Sequence, residues 1–346
     1  MTIHKVDNKP FEGPHVLDDP PEYHQKLLDY GERPYWSPDG KRIAFIDNNY
    51  GDACEIDIAT RKVTNLTKNL GEYHSFLRVL YLPNGDYILI GPKEFKDRNV
   101  SRHIESELWI MDKDAKTSPK PLGRRISEGC GVSTTTNLIT YSVHGGNDPS
   151  IGSRQDFKCF VTEIVYGEHG PELGKEKLIY ENKRGRAPEP QDFRHNDTEV
   201  IMAEYVGSPF RTPNNWNCVV KGVNIETGEV RTYIDEPLTH NEPEGIFPDG
   251  EHICLESSCD HENSYPPIDL WKLKLDGTGR RVRMTEMIHH VPWRASNSNV
   301  SPDGRWLAYM VNTYTSEAGF GMGLGLMNLE AWEKSEKAQK WEATNG

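Results

Sequence analysis

The chain has 346 residues, enough for one large or two ordinary domains with a sizeable core, so length alone leaves the architecture open. Hydrophobic residues make up only 35%, while Gly 30, Pro 23, Trp 8 and Tyr 15 are plentiful, a balance suited to many short strands joined by turns rather than to long helices. A net charge of -13 argues against nucleic acid or a membrane surface as partner, and the short basic runs Lys183-Arg184-Gly185-Arg186 and Arg280-Arg281-Val282-Arg283 do not overturn it.

The six cysteines are scattered, lack CxxC spacing and mostly sit beside apolar strand residues, so they are expected to be reduced. Met1-Thr2-Ile3-His4-Lys5-Val6-Asp7 has no apolar leader core, and no run reaches the roughly 18 apolar residues of a membrane span. A cytoplasmic location is the expectation.

Residues 1–31 are polar and Pro-rich, with His15-Val16-Leu17 inside a single strand-like island. From Arg33 onward a pattern takes over. Tyr35-Trp36-Ser37-Pro38-Asp39-Gly40 is an aromatic strand end followed by a tight turn, because Pro presets φ, Asp accepts a backbone N–H and Gly tolerates φ > 0. An alternating apolar strand, Ile43-Ala44-Phe45-Ile46, comes next. The same hairpin recurs at Pro248-Asp249-Gly250 and Ser301-Pro302-Asp303-Gly304, and more loosely at Pro83-Asn84-Gly85.

Taken in order, the units span about residues 33–66, 75–122, 129–180, 190–234, 241–285 and 294–329. The third lacks the turn, and the fourth replaces it with His195-Asn196-Asp197. Repeats of about 35–50 residues with four strands each predict an all-β fold, a single β-propeller of six blades, with seven as the alternative count. The last unit lacks an outer strand, because Ala331-Trp332-Glu333-Lys334 reads as a helix. The island at His15-Val16-Leu17 is expected to supply it and close the ring. Three segments follow: 1–31 with the closing strand, 32–330 as the propeller, and 331–346 as a helical tail.

The Ser-Pro-Asp-Gly turns followed by a basic residue and Ile-Ala-Phe, together with Asp269-Leu270-Trp271-Lys272-Leu273-Lys274-Leu275-Asp276-Gly277, resemble the repeats of TolB-like propellers over most of the chain. The resemblance implies the fold. For function it points to scaffolds, transport accessories, peptidase gating domains and polysaccharide lyases alike.

In a propeller the segments entering each inner strand and the loops between second and third strands share one rim. His74, His240, His289, His290, His103, His144 and His261 map there. Glu32, Glu189 and Glu242 fall at equivalent inner-strand starts, with Gln191 and Glu244 two residues on, and alternation sends each pair to one side. His240, Glu242, His261, His290 and Gln191 are therefore candidate ligands for one divalent metal, Mn, Ca or Zn according to how many oxygens contribute, with Mn or Ca preferred, against ordinary wet-rim polar residues as the plain reading. Arg33, Arg78, Arg211 and Arg294 are candidates to hold a substrate carboxylate, or simply to pair with the acids. Trp216 and Tyr265 offer flat faces for a sugar. There is no GxSxG elbow, and the Gly319–Gly325 run opens no helix, so hydrolase and phosphate-cradle readings fail.

Among TolB-like propellers, the oligogalacturonate-lyase branch implies a rim metal and β-elimination of acidic saccharides. On that reading the substrate is a small molecule or an oligosaccharide, with His240, Glu244, Arg294 and Arg211 as catalytic candidates and Arg33, Arg78, Trp216 and Tyr265 as binding ones. Two other readings stay open: a non-catalytic propeller binding a peptide or protein partner, and a metal-free isomerase or cyclase.

Overall fold

The computed structural model describes residues 12–127, 129–183, 185–206, 217–237, 239–260, 268–313, 316–317 and 319–339. Within them the strands form six separate antiparallel sheets, five of four strands and one of five. Blade 1 runs Glu32–Trp36, Arg42–Ile46, Ala53–Asp57 and Val63–Asn65; blade 5 runs Asn241–Ile246, His252–Ser257, Asp269–Lys274 and Arg281–Arg283. Blades 2 and 4 repeat the plan from Arg78–Tyr81 and Ala187–Arg194. Blade 3 adds a strand, because Phe157–Gly167 outgrows its neighbours and folds back on Gly170–Leu173 before Lys177–Asn182 supplies the outer edge. The expected six-bladed propeller is thus what the chain adopts.

One sheet cannot bury both of its faces alone, which is why the blades stack radially. Each interface carries its own apolar cluster. Ile46, Phe76, Leu89 and Trp109 fill the space between blades 1 and 2, and Ile201, Val220, Leu255 and Trp271 that between blades 4 and 5. Side chains of this size contribute about 1.5–3 kcal/mol each when fully buried. All six cysteines are free thiols, five of them buried in these layers.

The turns behave as the sequence predicts. Ser37 Oγ donates to Asp39 Oδ1 at 2.6 Å, Gly40 N donates to Ser37 O at 2.9 Å, and Gly40 sits at φ 67. Ser301, Asp303 and Gly304 repeat this in blade 6, with Gly304 at φ 70. Blade 4 makes the same reversal without glycine. His195, Asn196 and Asp197 lie at φ 53, 54 and 63, three successive left-handed residues that each cost about 1–2 kcal/mol in an L-chain.

Ring closure differs from the expectation in one respect. The strand that completes blade 6 is His24–Leu28, pairing antiparallel with Gly323–Asn328, and not the island at His15-Val16-Leu17. The island lacks the length to span a blade edge once Pro20 and Pro21 interrupt it. It docks instead as a turn: His15 Nε2 lies 3.0 Å from Met322 O, its ring packs 4.7 Å from Trp293, and Leu17 is buried beside Trp332. Leu329–Glu333 forms a short helix, capped by Asn328 and anchored by buried Trp332.

A candidate metal and acid-base site in the central channel

The inner strands converge on the axis, and four of them are irregular there. Register shifts interrupt blade 1 between Glu32 and Tyr35, blade 4 between Pro190 and Asp192, blade 5 between Pro243 and Ile246, and blade 6 between Ser296 and Asn299. Such bulges re-aim side chains at the cost of ladder bonds. Gly245 sits in the blade 5 bulge where an added Cβ would meet the Asn299 Cα at 3.1 Å, so a larger residue would press blades 5 and 6 apart by a few tenths of an ångström.

Blade 5 supplies the centre of the site. Glu242 and Glu256 face each other as cross-strand partners, so their side chains leave the sheet on the same side. His240, just ahead of the strand, is fixed from both ends: its N–H donates to Ser258 Oγ at 3.1 Å, its carbonyl accepts from Ser258 N, and its Nδ1 lies 3.7 Å from Cys218 Sγ. The imidazole Nε2 then sits 3.3 Å from Glu242 Oε2 and 3.9 Å from Glu256 Oε2. All three residues offer a ligating atom within 4.8 Å of the others, and all three are almost wholly enclosed.

Gln191 of blade 4 joins through its amide, donating to Glu242 Oε1 at 3.3 Å. Asn297, held left-handed at φ 46 by the blade 6 bulge, donates its backbone N–H to Glu256 Oε1 and its side-chain amide to Glu244 Oε1 at 3.3 Å. Opposite this acidic wall stand arginines. Arg78 Nη2 reaches across to Glu189 Oε1 at 3.3 Å, Arg33 Nη1 donates to Leu77 O at 3.2 Å, and Arg294 Nε donates to Asn312 Oδ1 at 2.5 Å. Arg102, from the short helix Arg98–His103 of blade 2, completes the basic side. Between the two walls lie cavities of about 30 and 40 Å³, room for a small ion and its water rather than for a large ligand.

The charges reflect this crowding. Burial, then repulsion from Glu256 and Glu242, holds Glu244 well above the usual carboxylate range, with Arg78 opposing the shift. Burial and repulsion from Glu242 also raise Glu256. Burial disfavours an imidazolium at His240, yet the Cys218 sulfur and the Glu242 carboxylate outweigh it and hold the group well above its ordinary value. Because burial raises the Cys218 thiol above its ordinary range, the counter-charge we assign to His240 is the Glu242 carboxylate.

Of the residues singled out from sequence, the structure brings together His240, Glu242, Glu244, Gln191, Arg33, Arg78 and Arg294. It does not bring His290 into the group: that residue is exposed at the end of the turn Met287–His289. The other rim histidines do not gather either, since His74 bonds Asp52 at 2.8 Å and His144 is buried against Phe157. Arg211, Trp216, His261 and Tyr265 lie outside the described residues. Glu256 was missed. In Cys254-Leu255-Glu256-Ser257 it reads as an ordinary strand acid, and only its register opposite Glu242 marks it.

No protein-family profile matches the chain, and no curated protein matches its sequence. Solved structures do match in shape. A gluconolactonase from Xanthomonas campestris superposes with a TM-score of 0.55 at 13% identity, covering 88% of this chain and 88% of that one. TolB from Acinetobacter baumannii gives 0.51 at 11% identity over 90% of this chain and 64% of the other. An oligogalacturonate lyase in complex with manganese gives 0.51 at 13% identity, covering 88% and 79%. At these identities the likeness is one of fold, the one that TolB-like repeats imply.

Proposed function

We propose that this propeller is an enzyme acting on a small acidic molecule, with an acidic saccharide as the favoured class, whose carboxylate end alone reaches a divalent-metal site inside its channel. The observation that carries the reading is the His240–Glu242–Glu256 group, three buried ligating side chains whose donor atoms lie within 4.8 Å of one another. Ligands about 2.0–2.6 Å from an ion stand roughly 3–5 Å apart, so the spacing fits a single centre. One imidazole with two carboxylates suits Mn better than an all-oxygen Ca cage. The manganese of the structurally similar lyase supports a metal in this type of channel, though not these residues as its ligands.

A bound divalent ion would draw charge from a substrate carboxylate and so acidify the adjacent C–H. The chain's own residues supply the rest. Arg33, Arg78 and Arg294 face the acidic wall and hold an anionic substrate against it. Glu244, whose affinity for a proton is raised by burial and by its acidic neighbours, would take the α-proton as a carboxylate and pass it to the leaving oxygen as the C–O bond breaks, which balances a β-elimination. Arg78, the arginine nearest Glu244 in charge terms, stabilises the carboxylate left behind.

Elemental analysis of protein reconstituted with Mn and dialysed tests the metal, and new ultraviolet absorbance from an unsaturated uronate on acidic oligosaccharides tests the chemistry. Stoichiometric Mn that Glu256→Gln abolishes supports the centre. Failure of wild type to retain any divalent ion would remove it, and retained metal with no turnover on a uronate panel would remove the lyase.

A further inference from the structure

A larger cavity lies away from the metal-type group. It is a funnel of about 570 Å³ at the opposite mouth, more than ten times the volume of either channel compartment. Its wall is the ring of first turns, one from every blade, so Pro38, Pro83, Pro248 and Pro302 meet there with residues of blades 3 and 4. A cavity of this size lies in the range that takes a small-molecule ligand. Tyr35, Asp192 and Asn299 line both the funnel and the channel compartment above it and form the waist between them.

Two features mark it as built rather than left over. The first is strain. Only in blade 4 is the turn made by three consecutive left-handed residues other than glycine, and that turn presents His195 and Asn196 on the funnel wall, both exposed. Backbone strain of this kind persists only where the surroundings impose it. Here the clamp is Asp197, whose Oδ2 accepts from Ser133 Oγ at 2.8 Å, Thr135 Oγ1 at 3.0 Å and Thr136 Oγ1 at 2.8 Å, all from the neighbouring blade.

The second is the state of the charges. Every charged group on the wall is already met from within the protein. Arg194 donates to Glu199 at 2.6 Å and to Gly250 O at 3.0 Å, Asp249 accepts from His252, and Asp192 accepts from the amides of Phe193 and Ile246. Apart from the exposed Asp249 carboxylate, what the wall presents to a guest is uncharged: proline and aromatic C–H faces on one side, Thr134, His195 and Asn196 as donors and acceptors on the other.

We propose that the funnel is a second ligand site, separate from the channel centre, for an uncharged and hydroxyl-rich small molecule of mono- or disaccharide size. Apolar faces meet the C–H surfaces of such a ligand while the blade 3 and blade 4 turns meet its hydroxyls. An anion finds no unmet counter-charge here, and a cation finds only Asp249, already bonded to His252, so either loses its hydration with little return.

The test uses the full chain and three probes of similar size: maltose as the neutral sugar, digalacturonate as the acid and choline as the cation, each titrated by ligand-observed NMR and calorimetry. Saturable maltose binding is expected, at least tenfold tighter than choline and at least tenfold tighter than any digalacturonate binding that survives Glu242→Gln. Thr134→Trp, which fills the funnel from an exposed position, should abolish it. Asn196→Gly, which removes the amide while keeping the left-handed turn, should weaken it severalfold with an unchanged melting temperature. Glu242→Gln should leave maltose binding intact, which separates this site from the channel. Absence of saturable maltose binding, preference for either charged probe at the funnel, or binding that survives Thr134→Trp overturns the proposal.

Discussion

At the scale of single residues, the channel is an argument between desolvation and pairing. Glu242 and Glu256 stand against His240, while Glu244 is the acid whose affinity for a proton burial and its neighbours raise, so the carboxylates are expected to separate in function. Glu256→Gln should lose metal uptake, because it removes a donor from the three-residue group. Glu244→Gln should keep metal uptake and lose turnover by about 10²–10⁴-fold, the usual contribution of a positioned general acid. Equal metal loss in both variants would show that Glu244 is a ligand and not the acid. Glu32 offers a second residue-scale check. It is fully buried, neither side-chain oxygen has a hydrogen-bond partner, and burial raises its pKa to about 8 against the pull of Arg33. A carboxyl whose folded pKa exceeds its unfolded 4.5 gives stability that is complete below pH 4.5 and is lost as pH rises through about 8. Glu32→Gln cannot ionise, so whatever its constant offset, its stability relative to wild type should improve between those limits by on the order of a few kcal/mol. Denaturant melts at pH 4.5 and 9 read this directly. A difference that does not change with pH would show that Glu32 titrates in the folded protein as it does in the unfolded chain.

At the scale of elements, the closing strand repeats the same logic with the opposite sign. His24 is buried, its Nδ1 lies 2.9 Å from the Tyr309 hydroxyl, and burial pushes its pKa down to about 4. A histidine that folds neutral contributes stability present above its unfolded pKa of 6.5 and lost as pH falls through about 4. Acidification from pH 7 to 4.5 should therefore loosen the strand His24–Leu28 first, and His24→Gln should blunt that loss. Hydrogen exchange of Lys26 and Leu27 amides against pH is the readout; protection unchanged at pH 4.5 would show that His24 is protonated or solvated in the fold. This element also shows what sequence reasoning can and cannot reach. The Pro-Asp-Gly hairpins are legible because the turn chemistry is local: Pro, Asp and Gly each act within four residues. The blade 4 turn carries no such signal, since its left-handed residues are held by hydroxyls more than sixty positions away in the chain. His24-Gln25-Lys26-Leu27-Leu28 alternates weakly and reads as polar. Its strand character comes from the edge of Gly323–Asn328, not from its own residues. Glu256 was hidden for a related reason, because cross-strand register is a property of two strands and neither one states it alone.

At the scale of the whole molecule, the ring depends on one seam. Five blades take all their strands from consecutive stretches of chain, whereas blade 6 takes three from residues 293–328 and the fourth from His24–Leu28. That strand is bonded across from His24 to Met327 through Lys26 to Gly325, and it buries Leu27 against Phe45, Ala308 and Leu324 in the cluster that joins blade 6 to blade 1. The turn ahead of it adds Leu17 and the His15 contact to Met322 O, tying the same segment to blade 6 and the C-terminal helix. A chain beginning at Gly31 would lose all of this together. It would leave the Gly323–Asn328 edge unpaired and expose an apolar face whose two buried leucines alone account for about 3–6 kcal/mol, a large part of ordinary domain stability. We expect such a truncation to melt well below the full chain and to associate through the free edge. Leu27→Ala, which opens the seam without removing the strand, should cost an intermediate 2–5 kcal/mol. The contrast between the two is the decisive measurement. If the truncated chain melts with the full one while Leu27→Ala is also silent, the ring does not rely on this strand; if only the truncation is damaging, the backbone pairing and the docked turn matter more than the leucine.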